Sequence, residues 1–137
     1  MTKLEKMKSV APIVLRYAMC LVILWFSLQQ FLHTQTWTAY VPDSVVAMSH
    51  LSAVTLVLFN ASFELVFGLL LVFGWQTRVA ALLLALHLFD IMFTVGYGEI
   101  GVRDFGLAMA TLVVFMNGAD AYCFDSRKKA SIITQQN

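Results

Sequence analysis

A chain of 137 residues is one domain's worth of sequence. Hydrophobic residues make up 60% of it and charged residues 12%, with a mean hydropathy of +0.78, whereas soluble domains run near half apolar and about a quarter charged, so this composition reads as an integral membrane protein. The net charge of +1, with no basic patch interleaved with aromatics, argues against nucleic acid as a partner, and Cys20 and Cys123 form no CxxC of the thioredoxin or zinc-ribbon kind.

In chain order, residues 1–12 form a basic polar lead-in, with Pro12 suited to a first helical turn. The apolar run 13–33 is long enough to cross a hydrocarbon core of about 30 Å. Its length, its Gln29 and Gln30, and the lack of a small-x-small cleavage site separate it from a signal peptide. Residues 34–53 form the one long connection; Trp37 and Tyr40 suit a membrane–water interface, and Pro42-Asp43-Ser44 reads as a turn into a helix. A helix over 45–74 would be about 45 Å long, more than the bilayer needs. Its first turns are therefore expected to bend or lie along the interface before a span at 54–73.

Gly74-Trp75-Gln76-Thr77 is a tight turn, followed by a third span at 78–95, a glycine-rich turn at 96–101 and a fourth span at 104–118. The expected fold is all-α: an integral membrane four-helix bundle of up-down topology, with a long outer loop between the first two spans. Residues 1–125 make the single domain and 126–137 a polar, disordered cytoplasmic tail. Lys3, Lys6, Lys8, Arg16, Arg78, Arg127, Lys128 and Lys129 all fall on one side of such a bundle, leaving only Arg103 opposite. Basic residues stay inside, which puts both termini in the cytoplasm and the protein in the plasma (inner) membrane.

Each span carries one face unlike lipid. Arg16, Cys20, Ser27 and Gln30 follow helical spacing in the first, Asn60, Glu64 and Gly68 in the second. Ala80, Leu84, His87, Asp90 and Thr94 align in the third, and Asp104, Ala108 and Thr111 in the fourth. Small and polar faces are where membrane helices approach and hydrogen-bond, so these stripes should point inward, with Phe63, Phe67, Phe73, Phe89 and Phe93 mostly on lipid-side faces. His87 and Asp90 are three apart and share a helix face.

A charged group at that depth costs about 2.5–3.5 kcal/mol if lipid sees it. Glu64 and His87 near mid-membrane, Gln30 and Asp90 further out, and Arg103 and Asp104 at the outer mouth would form an ionisable chain opening outward, the candidate ligand site or proton relay. The plainer alternative is structural: Glu64 bonded to His87, Asp90 paired with Arg103, Asp104 capping its helix, and Arg16 snorkelling to the inner interface. Cys20 reads as a small packing residue and Cys123 as an interfacial thiol. His87-x-x-Asp90 with Glu64 has too few ligands for a metal site, and none is expected.

Arg16, Gln30-Phe31, Val41-Pro42, the run Glu64 to Gly74, Thr77-Arg78-Val79-Ala80-Ala81 and the run Gly96 to Leu107 together resemble the DoxX-like family of small four-helix membrane proteins. The resemblance covers about 11–125. It departs from the family where a Gly-x-x-Lys-Phe pattern at the end of the first span is matched here by Ser27 and Gln30. It implies a four-helix membrane fold and a link to redox chemistry, since the family takes its name from a subunit of a thiosulfate:quinone oxidoreductase. Other relatives are described as partners of redox enzymes or as membrane chaperones.

Three functions follow as expectations. The first is a membrane subunit of an oxidoreductase, with quinone as the ligand and electrons from a redox partner, since the chain has no nucleotide fingerprint or iron–sulfur cysteine pattern of its own. The second is a non-catalytic scaffold or assembly factor for another membrane protein, and the third a small solute or proton pathway. The surface is expected to contact the lipid bilayer and, being so apolar, suits self-association into a homo-oligomer.

Overall fold

A computed structural model describes residues 2–127, and every regular element in that range is helical. The long helices are α1 (Lys3–Leu32), α4 (Ala53–Phe73), α5 (Thr77–Val95) and α6 (Glu99–Asn117); the short α2 (Thr34–Trp37) and α3 (Asp43–Ser49) lie in the long connection. α1, α4 and α5 are long and apolar enough to cross a membrane. α6 has 19 residues but carries Glu99, Arg103 and Asp104 in its first six.

Two helices begin earlier than expected. α1 starts at Lys3 because Thr2 and Glu5 form a capping box: the Thr2 hydroxyl accepts from the Glu5 N–H, and the Glu5 carboxylate accepts from the Thr2 N–H at 2.7 Å. Pro12 therefore sits inside the helix and not in its first turn. α6 starts at Glu99, whose charge suits a helix N-terminus, so Asp104 lies in the second turn and is no cap. The expected bend in 45–74 is present: His50 takes a left-handed conformation (φ 57°) that ends α3, and the Ser52 side chain caps α4 by accepting from the Thr55 N–H. Ser126 and Arg127 continue a helical turn begun at Phe124, and the rest of the polar tail lies outside the described residues.

The closest pairings are α1 with α4 and α5 with α6, with lesser contacts of α4 on α5 and α1 on α6. α1 and α4 run antiparallel. Gln30 is level with Asn60 and Glu64, the Ser27 hydroxyl donates to the Ala61 carbonyl at 2.8 Å, and Arg16 reaches the last turn of α4. The helices touch at Gly68, where a Cβ would stand 2.8 Å from Leu24 Cδ2, the close approach that small residues allow between membrane helices. Ile23, Leu71, Ala80, Ala81, Leu84 and Leu88 form the centre of the core.

The polar stripes of α1, α4 and α6 turn inward: Arg16, Cys20, Ser27, Gln30, Glu64, Gly68, Asp104, Ala108 and Thr111 are all buried. The α5 stripe splits, with Ala80 and Leu84 buried, His87 half-buried and Asp90 and Thr94 exposed. Phe63 and Phe67 pack on the core instead of facing outward, while Phe73 and Phe93 are exposed.

At the end of the molecule holding the α4–α5 turn, Arg16 is 1% exposed and does not snorkel. Its guanidinium pairs with both oxygens of Asp120 (2.6 and 3.1 Å) and donates to the carbonyls of Leu71 and Val72 in the last turn of α4, of which Leu71 also accepts from the capping Gly74 N–H. Asp125 accepts from the N–H groups of Gln76 and Thr77 and from the Thr77 hydroxyl, capping α5. Cys123 is fully buried against Gly74, whose φ of 65° and lack of a Cβ let the chain turn beneath it.

Candidate functional site

The opposite end holds a cavity of about 270 Å³ between the first half of α4 and the second half of α5. The tight turn at residues 74–76 holds the other ends of these helices together, so the space between them lies away from the turn. Trp37, Tyr40, Val41, Pro42 and Val45 of the long connection line it from above. Trp37 is fixed by edge-on packing on Phe26 (5.9 Å between centroids) and by Tyr40 (5.6 Å).

One wall is an amide–carboxyl array. Gln30 Nε2 donates to Glu64 Oε2 at 2.8 Å; Asn60 Nδ2 donates to Gln30 Oε1 at 2.7 Å and lies 3.3 Å from Glu64 Oε1. Glu64 is 4% exposed, and both of its oxygens are met by amide N–H groups, not by a cation. Asn60 and Glu64 stand four apart and so share a helix face, with Gln30 facing them across the α1–α4 contact. The sequence places Asn60 on the polar stripe without a role; its spacing from Glu64 is the signal that could have found it.

His87 stacks on Phe63, with ring centroids 4.3 Å apart and planes 31° from parallel. Its Nε2 is buried and has no hydrogen-bond partner among the described residues. Glu64 takes its hydrogen bonds from Gln30 and Asn60 and not from His87, which corrects the plainer expectation. Asp90, one turn further along α5, is close enough to His87 to act on it electrostatically and is exposed at the rim. A neutral imidazole nitrogen with no protein partner can donate to or accept from a polar atom placed in the cavity.

Arg103 and Asp104 are adjacent, and Arg103 pairs with Asp104 instead of Asp90: Arg103 Nε and Nη2 both lie 2.7 Å from Asp104 Oδ1. The guanidinium also lies over Phe26 at 4.0 Å, a cation–π contact that ties α6 to α1. Arg103 lines the cavity, whereas Asp104 stands behind it, fully buried, with no hydrogen-bond partner for Oδ2 among the described residues. Both act electrostatically on Glu64. Five of the six sequence candidates, Gln30, Glu64, His87, Asp90 and Arg103, thus line one cavity, and Asp104 supports it. Sequence reasoning missed Phe63, given to a lipid-side face, and placed Trp37 and Tyr40 only at a membrane–water interface, in a connection expected to fold over the outer mouth. Among the described residues no three His, Cys, Asp or Glu side chains are grouped to hold a metal ion.

The family model for DoxX matches residues 11–97. That stretch contains Gln30, Asn60, Glu64, His87 and Asp90 and stops short of Arg103 and Asp104. No curated protein and no solved structure matches the chain.

Proposed function

This chain belongs to the DoxX family, and on that footing we propose that it is the membrane subunit of an oxidoreductase, holding a quinone head group in the cavity between α4 and α5. In this reading the four long helices form an up-down bundle that crosses the plasma membrane four times with both termini cytoplasmic. The basic residues support that orientation, since all but Arg103 lie on one side of such a bundle. The cavity then opens towards the outer face.

The observation that carries the proposal is the pairing of an unpartnered, buried His87 Nε2 with the Gln30–Asn60–Glu64 array in one small, mainly apolar cavity. A flat ring bearing two carbonyl oxygens fits these groups: apolar walls for its faces, an imidazole N–H for one oxygen, amides at the polar end. Quinone reduction takes up two electrons and two protons. Electrons come from a redox protein partner, and protons pass by way of Glu64, whose carboxyl is the one acid in the polar array, and Asp90, which is exposed at the rim.

Mass spectrometry of the protein purified in mild detergent tests the reading. Quinone at about one per chain, lost in both Glu64→Gln and His87→Ala, is the expected result. Quinone-linked activity in native membranes that is untouched by the double substitution would sink it. A scaffold role is the second reading, favoured by the exposed Trp25, Phe73 and Phe93 on different helices. Crosslinking in native membranes would then give one dominant partner with a quinone-free protein.

A further inference from the structure

We infer that the cavity is filled sideways, from the lipid: an amphiphile with a compact, uncharged ring as its head enters between the outer halves of α4 and α5 and leaves its hydrocarbon tail in that cleft. The inference rests on the reading of the cavity as a quinone site and adds the route and the shape of the ligand.

Size decides the shape. Pockets that enclose a whole drug-sized ligand measure about 300–1,000 Å³, and this one holds about 270 Å³. A single six-membered ring with its substituents fits; a long isoprenoid tail does not and must leave the cavity. Two exits exist in principle. Upward, Trp37, Tyr40, Val41, Pro42 and Val45 lie across the path to water, with Trp37 anchored on Phe26. Sideways, the lining residues Phe59, Asp90 and Thr94 are all exposed, Phe59 by 64%, so the wall between α4 and α5 is open to the surroundings. Deeper in, Phe63 on His87 and Phe67 on Phe63 (4.4 Å) close the gap.

Depth agrees with this route. Asp90 lies five residues before the end of α5, about 8 Å along the axis, and Glu64 eleven residues into α4, about 16 Å. The rim carboxylate therefore sits where a side chain reaches headgroup water, while the polar array sits near the bilayer centre, reached by a ligand already dissolved in lipid. Charge selects the head. Glu64, Asp90 and Asp104 stand against Arg103, already paired with Asp104, so among the described residues lining the cavity an anionic phosphate head finds no free Lys or Arg.

The test uses the wild-type protein in phosphatidylcholine vesicles with two photoreactive benzoquinones. One carries a long isoprenoid tail with the photoreactive group on the tail, and the other is cut to one isoprene unit. Saturable tail labelling within 56–60 and 90–95 is the expected result. Thr94→Trp, which fills the opening, should then lower occupancy by the long-tailed quinone at least tenfold and by the short one less than twofold. Tail labelling within 37–45, or equal loss of both quinones in Thr94→Trp, would overturn the sideways route while leaving a quinone site in place. Absence of saturable labelling by either quinone would overturn the quinone reading, and the route with it.

Discussion

The two ends of the molecule handle buried charge in opposite ways. At the α4–α5 turn, Arg16 meets both oxygens of Asp120 and two terminal carbonyls of α4, and Asp125 caps α5 from across the chain. At the cavity, among the described residues, Glu64 is held by amides alone, His87 Nε2 has no hydrogen-bond partner and Asp104 uses one oxygen of two. The first end spends its polar groups on each other; the second leaves them free to meet something else. A protein tolerates such frustration locally when the rest of the fold is consistent with itself, and the Arg16 end supplies that consistency.

Arg16→Ala should therefore have the largest effect, because it leaves the Asp120 carboxylate without its cation and the Val72 carbonyl without the guanidinium N–H in a nearly dry site. Breaking one partner of a buried pair costs about 3–5 kcal/mol, and denaturant unfolding in detergent would read it. Arg16→Lys should recover only part of this, since an ammonium cannot reproduce the two-pronged contact. Acid should weaken the same clamp. Burial raises the Asp120 carboxyl, but the hydrogen bonds from Arg16 and the Tyr122 N–H outweigh it, and the group titrates below its ordinary value of 3.8. Its folded value being depressed, the stabilisation is complete above that ordinary value and is lost as pH falls through the lower, folded one. A stability profile for wild type that keeps falling below about pH 4, and flattens there in Asp120→Asn, is the expected outcome.

Two smaller effects belong to the same end. Gly74→Ala puts a Cβ 2.5 Å from Cys123 atoms at a φ of 65°; the left-handed backbone alone costs about 1–2 kcal/mol, and a lowered melting temperature with unchanged helicity should report it. Asp125→Ala removes the side-chain cap of α5, which is worth about 1 kcal/mol. Hydrogen exchange confined to the first turn of α5 would locate the loss. Uniform exchange across all helices would show that the clamp is not local and would blunt the contrast between the ends.

Periodicity made most of this legible. The stripes of α1, α4 and α6 turn inward as their spacing requires, with Asn60 half-buried, and five of the six candidate residues line one cavity, with Asp104 behind it. What escaped was pairing. Positive-inside bias explains Arg16 without a partner, so nothing local pointed to Asp120, 104 residues away. Asp104 beside Arg103 reads as a cap only if the helix starts there, and Glu99 moved that start by a turn and a half. On α5 the stripe was sound as geometry, but α4 and α5 stay packed from their turn only as far as Phe63 on His87, so Asp90 and Thr94, further along, line an opening and not a core. Helical spacing says which residues share a face; it does not say how far along that face the neighbour stays in contact.

The smallest predicted change has the opposite sign and bears most directly on function. His87→Phe keeps the ring stacked on Phe63 and removes the buried nitrogen that has no partner. An unsatisfied buried polar group costs about 1–3 kcal/mol. Part of that is offset here because His87 is half-buried and borders a cavity, so a gain of up to about 1 kcal/mol is expected in denaturant unfolding. The same variant should lose bound quinone. A more stable protein with an empty cavity would show that the imidazole is kept for a ligand at the expense of the fold. A less stable one would mean that His87 holds α4 and α5 together, and the contrast between a satisfied end and a receptive end would then fail at its central residue.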